Sequence, residues 1–163
     1  SFSGLEKGEH NLFVNRIPRE SVTSFMEPYL LDLPGKKTEY FEILLVPGGM
    51  VEGKVMMYTW KRIDGEYILK KDKGVGDVAL ILKAENGVKE VKAFSNMDGV
   101  FSFEGLAPGT WQLIYSVPGL HKKATVKPEN PRVVVEAGKS AKVELSVIPP
   151  QPRKIRFLDK GKL

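Results

Sequence analysis

The chain has 163 residues, 42% hydrophobic and 28% charged, with a net charge of +5 and no cysteine. This is the balance of a soluble globular protein, long enough for one full domain and a remainder or for two small ones. Disulfides and thiolate chemistry are excluded, and no apolar run approaches the ~18 residues of a membrane helix. Ser1 stands where a native chain starts with methionine, which reads as a processed or excised polypeptide.

In chain order, residues 1–14 read SFSGLEKGEHNLFV. Ser21–Leu31 has room for one helical turn, which Pro28 interrupts. Gly35-Lys36 precedes a strand-like Glu39–Val46, and Val51–Tyr58 follows Pro47-Gly48-Gly49 as a strand rich in β-branched and aromatic residues. Residues 59–76 are less regular and read as a long connection with one short strand at Glu66–Leu69. Period-2 alternation then predicts strands at Asp77–Lys83, Glu90–Phe94, Val100–Phe103, Thr110–Val117, Lys123–Val126, Arg132–Val135 and Ala141–Ile148. Val78, Leu80 and Leu82 share one face, as do Val143, Leu145 and Val147. Turns fall at Asn86-Gly87, Asp98-Gly99, Pro108-Gly109, Pro118-Gly119 and Gly138-Lys139. Pro149-Pro150-Gln151-Pro152 stiffens the chain into an extended linker before a basic tail, within which Lys154–Leu158 is a further strand candidate. Short strands at regular spacing predict a β-sandwich.

The first segment returns later. SFEGLAPGTWQLIY at residues 102–115 repeats Ser1, Phe2, Gly4, Leu5, Gly8 and Leu12 as Ser102, Phe103, Gly105, Leu106, Gly109 and Leu113, each 101 residues on. Gly138-Lys139 and the strand after it repeat Gly35-Lys36 and its strand at an offset of 103. The expected organisation is the C-terminal half of a preceding sandwich repeat at 1–47, a complete repeat at 48–148, and a Pro-rich linker with a basic tail at 149–163. A chance likeness of loops is the alternative. A half sandwich exposes strand edges, so residues 1–47 are expected either to dock against 48–148 or to form a strand-exchanged dimer.

The stretch Ser95–Leu113 (SNMDGVFSFEGLAPGTWQL) resembles the signature of the carboxypeptidase regulatory-like, Cna B-type and SdrD B-like domains. With Val51–Met56 and Gly76–Leu80, the resemblance covers about residues 49–148. It implies a transthyretin-like, Greek-key β-sandwich of the prealbumin or immunoglobulin-like kind. In that reading Asp98-Gly99 supplies a turn, Phe101 and Phe103 share a face, Leu106 plugs the core, and Pro108-Gly109 makes a tight turn. Trp111 stands where the family has tyrosine. Phe101 to Leu113 are then two strands of one hairpin, each large side chain contributing about 1.5–3 kcal/mol on burial. Two family stabilisers are not expected. Tyr115 occupies the position of the glutamate that assists an isopeptide bond, and the last strand has no asparagine. A calcium loop between Thr59 and Gly76 would set Asp64, Glu66 and Asp72 among five cations.

The catalytic signatures H-E-x-x-H, G-x-x-x-x-G-K-[ST] and G-x-S-x-G do not occur, and His10, the counterpart of Trp111, reads as a strand residue. The expectation is a non-enzyme without cofactor or metal. The basic groups at Lys61-Arg62, Lys70-Lys71, Lys122-Lys123 and the tail come with no nucleic-acid motif and read as solvated sheet edges. Tyr58, Trp60 and Tyr67 are candidates for stacking against sugar, the alternative being that Tyr58 and Trp60 cap the core at a strand end. The leading expectation is a structural or adhesive spacer of a bacterial cell-surface or secreted protein, partnered by its neighbouring domains and by a surface glycan or protein ligand. It lies outside the cell or in the periplasm. The alternatives are a carbohydrate-binding accessory module, or an accessory domain of a peptidase or an outer-membrane transporter.

Overall fold

The computed structural model describes residues 5–14, 21–24, 29–33, 42–85, 87 and 89–152. Ser1, Phe2, Gly4, Pro28, Gly35-Lys36, the first three residues of Glu39–Val46, Asn86 and the tail from Arg153, with the strand candidate Lys154–Leu158, lie outside them. The described strands are β1 (Gly8–Leu12), β2 (Ser21–Thr23), β3 (Tyr29–Leu33), β4 (Leu45–Pro47), β5 (Gly49–Ile63), β6 (Glu66–Gly74), β7 (Ala79–Ala84), β8 (Glu90–Phe94), β9 (Val100–Leu106), β10 (Gly109–Ser116), β11 (Thr125–Lys127), β12 (Arg132–Val135) and β13 (Ser140–Ile148).

Residues 49–148 form a two-layer β-sandwich. One sheet has the order β12-β10-β7-β8; the other is β11-β13-β5-β6, with β9 also on β5. The alternating strands supply the two inner faces. Leu80, Leu82, Trp111 and Leu113 come from the first sheet, and Val51, Val55, Phe101, Phe103, Leu145 and Val147 from the second. Trp111 is 0% exposed, and its indole N–H donates to Ala107 O at 3.0 Å, so the largest core side chain leaves no polar atom unpaired.

β5 organises the second sheet. Along one edge it pairs in parallel with β13, from Met50↔Ser140 to Met57↔Val147. Along the other it pairs with β9 from Gly49 to Lys54 and with β6 from Met56 to Ile63. The handover between β9 and β6 is filled by the Asn96–Gly99 turn. Asn96 Oδ1 accepts from the backbone N–H of Asp98 (3.0 Å) and Val100 (2.9 Å). Val55 N–H donates to Gly99 O, and Val75 N–H to Val55 O. Gly99 has φ 77°, and a Cβ there would lie 2.2 Å from Val55 O. On the core side of β5, Gly53 faces Phe101, whose ring occupies the space a Cβ would take and packs edge-on to Phe103 at 6.0 Å.

Two expectations are corrected. Phe101 and Trp111 do not sit on one hairpin. β9 pairs with β5 and β10 with β7 and β12, so the Ala107-Pro108 corner carries the chain from one sheet to the other. The aromatic cluster therefore ties two layers together instead of two neighbouring strands. Residues 59–76 are not a long connection either. β5 runs on to Ile63, turns through Asp64 (φ 49°) and Gly65 (φ 84°), and returns as β6. Asp-Gly with both φ values positive is the tight turn whose twist matches a hairpin.

Near the start of the chain, β1 pairs with β3 and β2 with β4, all antiparallel. β2 lies against β9. Only Gly48 separates β4 from β5, and a Cβ on it would meet Gly105 Cα at 2.8 Å. Tyr115 is half-buried, with its hydroxyl 3.4 Å from Val126 O and 3.3 Å from Pro128 O. Burial pushes its pKa above the ordinary tyrosine value, and the Glu129 carboxylate adds to this.

Two predictions follow from this packing. Gly99→Ala combines a left-handed backbone with a clash against Val55 O and costs about 2–4 kcal/mol in urea unfolding at unchanged m. Gly105→Ala, at φ 65° with nothing within 4 Å, costs about 1–2 kcal/mol. The second concerns alkaline pH. The fold favours the neutral Tyr115 phenol, so that stabilisation is complete below the unfolded pKa of about 10 and is lost as pH climbs through the raised folded value. Between pH of about 9 and 11 the melting temperature of the native chain falls more steeply than that of Tyr115→Phe, as measured by circular dichroism.

Candidate functional site

The outer face of the β13-β5-β6 sheet gathers the polar and aromatic side chains that the core does not use. The parallel register sets Lys142 beside Glu52 and Glu144 beside Lys54. The antiparallel register on the other edge adds Ser102 beside Glu52 and Val100 beside Lys54. Strand neighbours in register share a face, so these residues form a charged grid. An open groove of about 610 Å³ lies over it. The Ser140 hydroxyl donates to Glu52 at 2.8 Å. Glu144 accepts from Lys71 Nζ at 2.8 Å and lies 3.4 Å from the Tyr58 hydroxyl, which ties β6, β5 and β13 together across the face. That hydrogen bond with Glu144 holds the Lys71 ammonium above the ordinary lysine value, although desolvation opposes it.

Beyond the grid, the β5–β6 hairpin carries all three predicted aromatics. Tyr58 is opposite Lys71, Trp60 opposite Leu69, and Tyr67 opposite Arg62, so Tyr58, Trp60 and Tyr67 lie on one face. All three are half-buried, and Tyr58 and Trp60 lie outside the core cluster. Trp60 Nε1 donates to Pro149 O at 2.9 Å, so the indole holds the start of the proline linker against the hairpin. The basic groups Lys61-Arg62 and Lys70-Lys71 flank this row on β5 and on the edge strand β6. Sequence reasoning found the aromatics but not the grid, because Glu52, Lys54, Lys142 and Glu144 come together only through the β5–β13 register. Asn96, the brace of the Asp98-Gly99 turn, was also missed; an Asn two residues before Asp-Gly is the available signal.

The core-signature residues are placed as follows. Asp98 and Gly99 lie in the handover turn, Phe101, Phe103 and Leu106 are buried on β9, Pro108 and Gly109 form the inter-sheet corner, and Trp111 is buried on β10. None of them lines the aromatic row. Among the described residues, no three His, Cys, Asp or Glu side chains are grouped so as to hold a metal ion.

No protein-family model matches the chain, and no curated protein does. Solved structures do. The minor pilin GBS52 of Streptococcus agalactiae superposes with a TM-score of 0.53 at 16% identity, covering 93% of this chain and 65% of the pilin. BcpA, the major pilin subunit of Bacillus cereus, is similar over 65% of this chain and 31% of its own, with a TM-score of 0.38 at 13% identity. The chain thus spans about two thirds of the length of GBS52, and that likeness bears on the fold: an all-β sandwich.

The two tryptophans separate core from surface. Trp111→Ala is expected to cost about 3–5 kcal/mol in urea unfolding. Trp60→Ala costs far less, and instead shifts the NMR signals of Ile148 and Gln151 as the linker leaves the hairpin.

Proposed function

We propose that the chain is a non-catalytic structural and adhesive spacer of a bacterial cell-surface or secreted multidomain protein, and that its sandwich bears load along its length. The observation that carries this reading is the parallel pairing of the first and last strands of the unit. Because β5 and β13 run the same way, Gly49 and Ile148 lie at opposite ends of their ladder. Tension applied through the chain then shears the whole ladder at once, and no hydrogen bond opens before its neighbours. GBS52, which shares this fold, is a minor pilin, and that agrees with a structural role at the cell surface. Among the described residues no helix is long and apolar enough to cross a membrane.

Force spectroscopy tests this directly. Pulled through handles next to Gly49 and Ile148, the unit should yield in a single high-force event releasing about 350 Å of chain. Pulled through Gly65 and Ile148, it should peel open at clearly lower force. Equal low forces in both geometries would remove the load-bearing reading.

A second reading has its own observation, the aromatic row of Tyr58, Trp60 and Tyr67 beside a charged groove. It makes this face a carbohydrate-binding surface. Calorimetric titration with a panel of polysaccharides should then give binding that Trp60→Ala abolishes; silence across the panel removes it.

A further inference from the structure

The pairing of β1–β4 repeats that of β10–β13 in register. Gly8 faces Leu33 as Gly109 faces Val135, and His10 faces Leu31 as Trp111 faces Val133. Val22 faces Val46 as Val126 faces Val147. The repetition extends to the backbone, since Gly8 and Gly109 have φ of 139° and 136°. It extends to one unusual hydrogen bond as well: His10 Nε2 lies 2.9 Å from Glu6 O, where Trp111 Nε1 lies 3.0 Å from Ala107 O, each four residues back.

What differs is the company these strands keep. β10 has β7 on its second edge, and β13 has β5. Among the described residues, β1 and β4 have no strand on theirs. Side-chain burial records the same gap. Leu113 is fully buried on β10, whereas its counterpart Leu12 on β1 is half-buried. Leu44 and Leu45 stand 57% and 44% exposed.

We propose that the second edges of β1 and β4 are a strand-acceptor site for a polypeptide segment built like β5 to β7 and lying outside the described residues. Its first strand runs parallel to β4 and presents alternating glycine and valine inward, as Gly49, Val51, Gly53 and Val55 do. Its second runs antiparallel to β1 with alternating aliphatic side chains, as Leu80 and Leu82 do. This chain's own β5 cannot serve, because β13, β9 and β6 already occupy both of its edges.

The test is to extend the full chain ahead of Ser1 with a copy of the Gly49–Tyr58 sequence on a flexible Gly/Ser linker of about 20 residues, which reaches about 25 Å. Hydrogen exchange is then followed at Leu44, Leu45 and Val46. The site predicts at least tenfold slower exchange there, unchanged exchange at Leu145 and Val147, and no slowing when the two valines of the added strand are aspartate. Unchanged exchange at 44–46, or equal slowing with the aspartate strand, overturns the proposal. So does slowing at β13 instead of β4. Protection already present in the unextended chain, together with a dimeric sedimentation coefficient, would assign the edges to a second copy and overturn it as well.

Discussion

One strand has to satisfy three partners, and the fold is arranged around that demand. β5 is hydrogen-bonded to β13 along one edge and to β9 and then β6 along the other. A change of partner in mid-strand leaves backbone groups of β5 facing a gap between the two neighbours. Unpaired and buried, such groups cost about 1–3 kcal/mol each. The Asn96–Gly99 turn fills the gap with its own carbonyl, which accepts from Val55. That close approach requires glycine at 99, and glycine at 74 as well, since a Cβ on Gly74 would lie 2.1 Å from Asp98 O. The Asp-Gly of the sequence signature is thus less a turn between strands than a plug in a sheet.

From this arrangement the rest of the unit follows. With β9 on β5 and β10 in the opposite sheet, the chain crosses between layers at the Ala107-Pro108 corner, and Phe101, Phe103 and Trp111 meet through the core. From β9 onward each successive strand changes sheet, and β1 to β4 show the same alternation of partners. The outer face owes its composition to the same pairing, because inward glycines and valines on β5 leave Glu52, Lys54, Tyr58 and Trp60 pointing out.

Much of this was legible in the sequence. Glu90–Phe94 and Arg132–Val135 were readable to the residue, because each is a short run rich in β-branched or aromatic residues set off by turn residues. The Leu80 and Leu82 face and the Val143, Leu145 and Val147 face were readable for the same reason. Two things were not. The β5–β6 hairpin was hidden because lysine and arginine stand on both of its faces, so it shows no alternation of apolar with polar residues. The Asp64-Gly65 turn at its tip was the clue. The sheet assignment of β9 and β10 was hidden because a short Ala-Pro-Gly corner looks the same in a hairpin and in a crossover. The candidate site divides likewise: its aromatics stand two residues apart or across one turn, whereas its charges come from strands about ninety residues apart, joined by a parallel register that local pattern does not encode.

A single residue, Gly48, stands between β4 and β5, and its backbone lies against Gly105. A joint this short allows little swivel. Bending at that point must either break the Pro47 carbonyl away from Gly138 N–H or lift β2 from β9. Torque applied to β2 and β4 therefore passes into the sandwich without first being taken up by slack at Gly48.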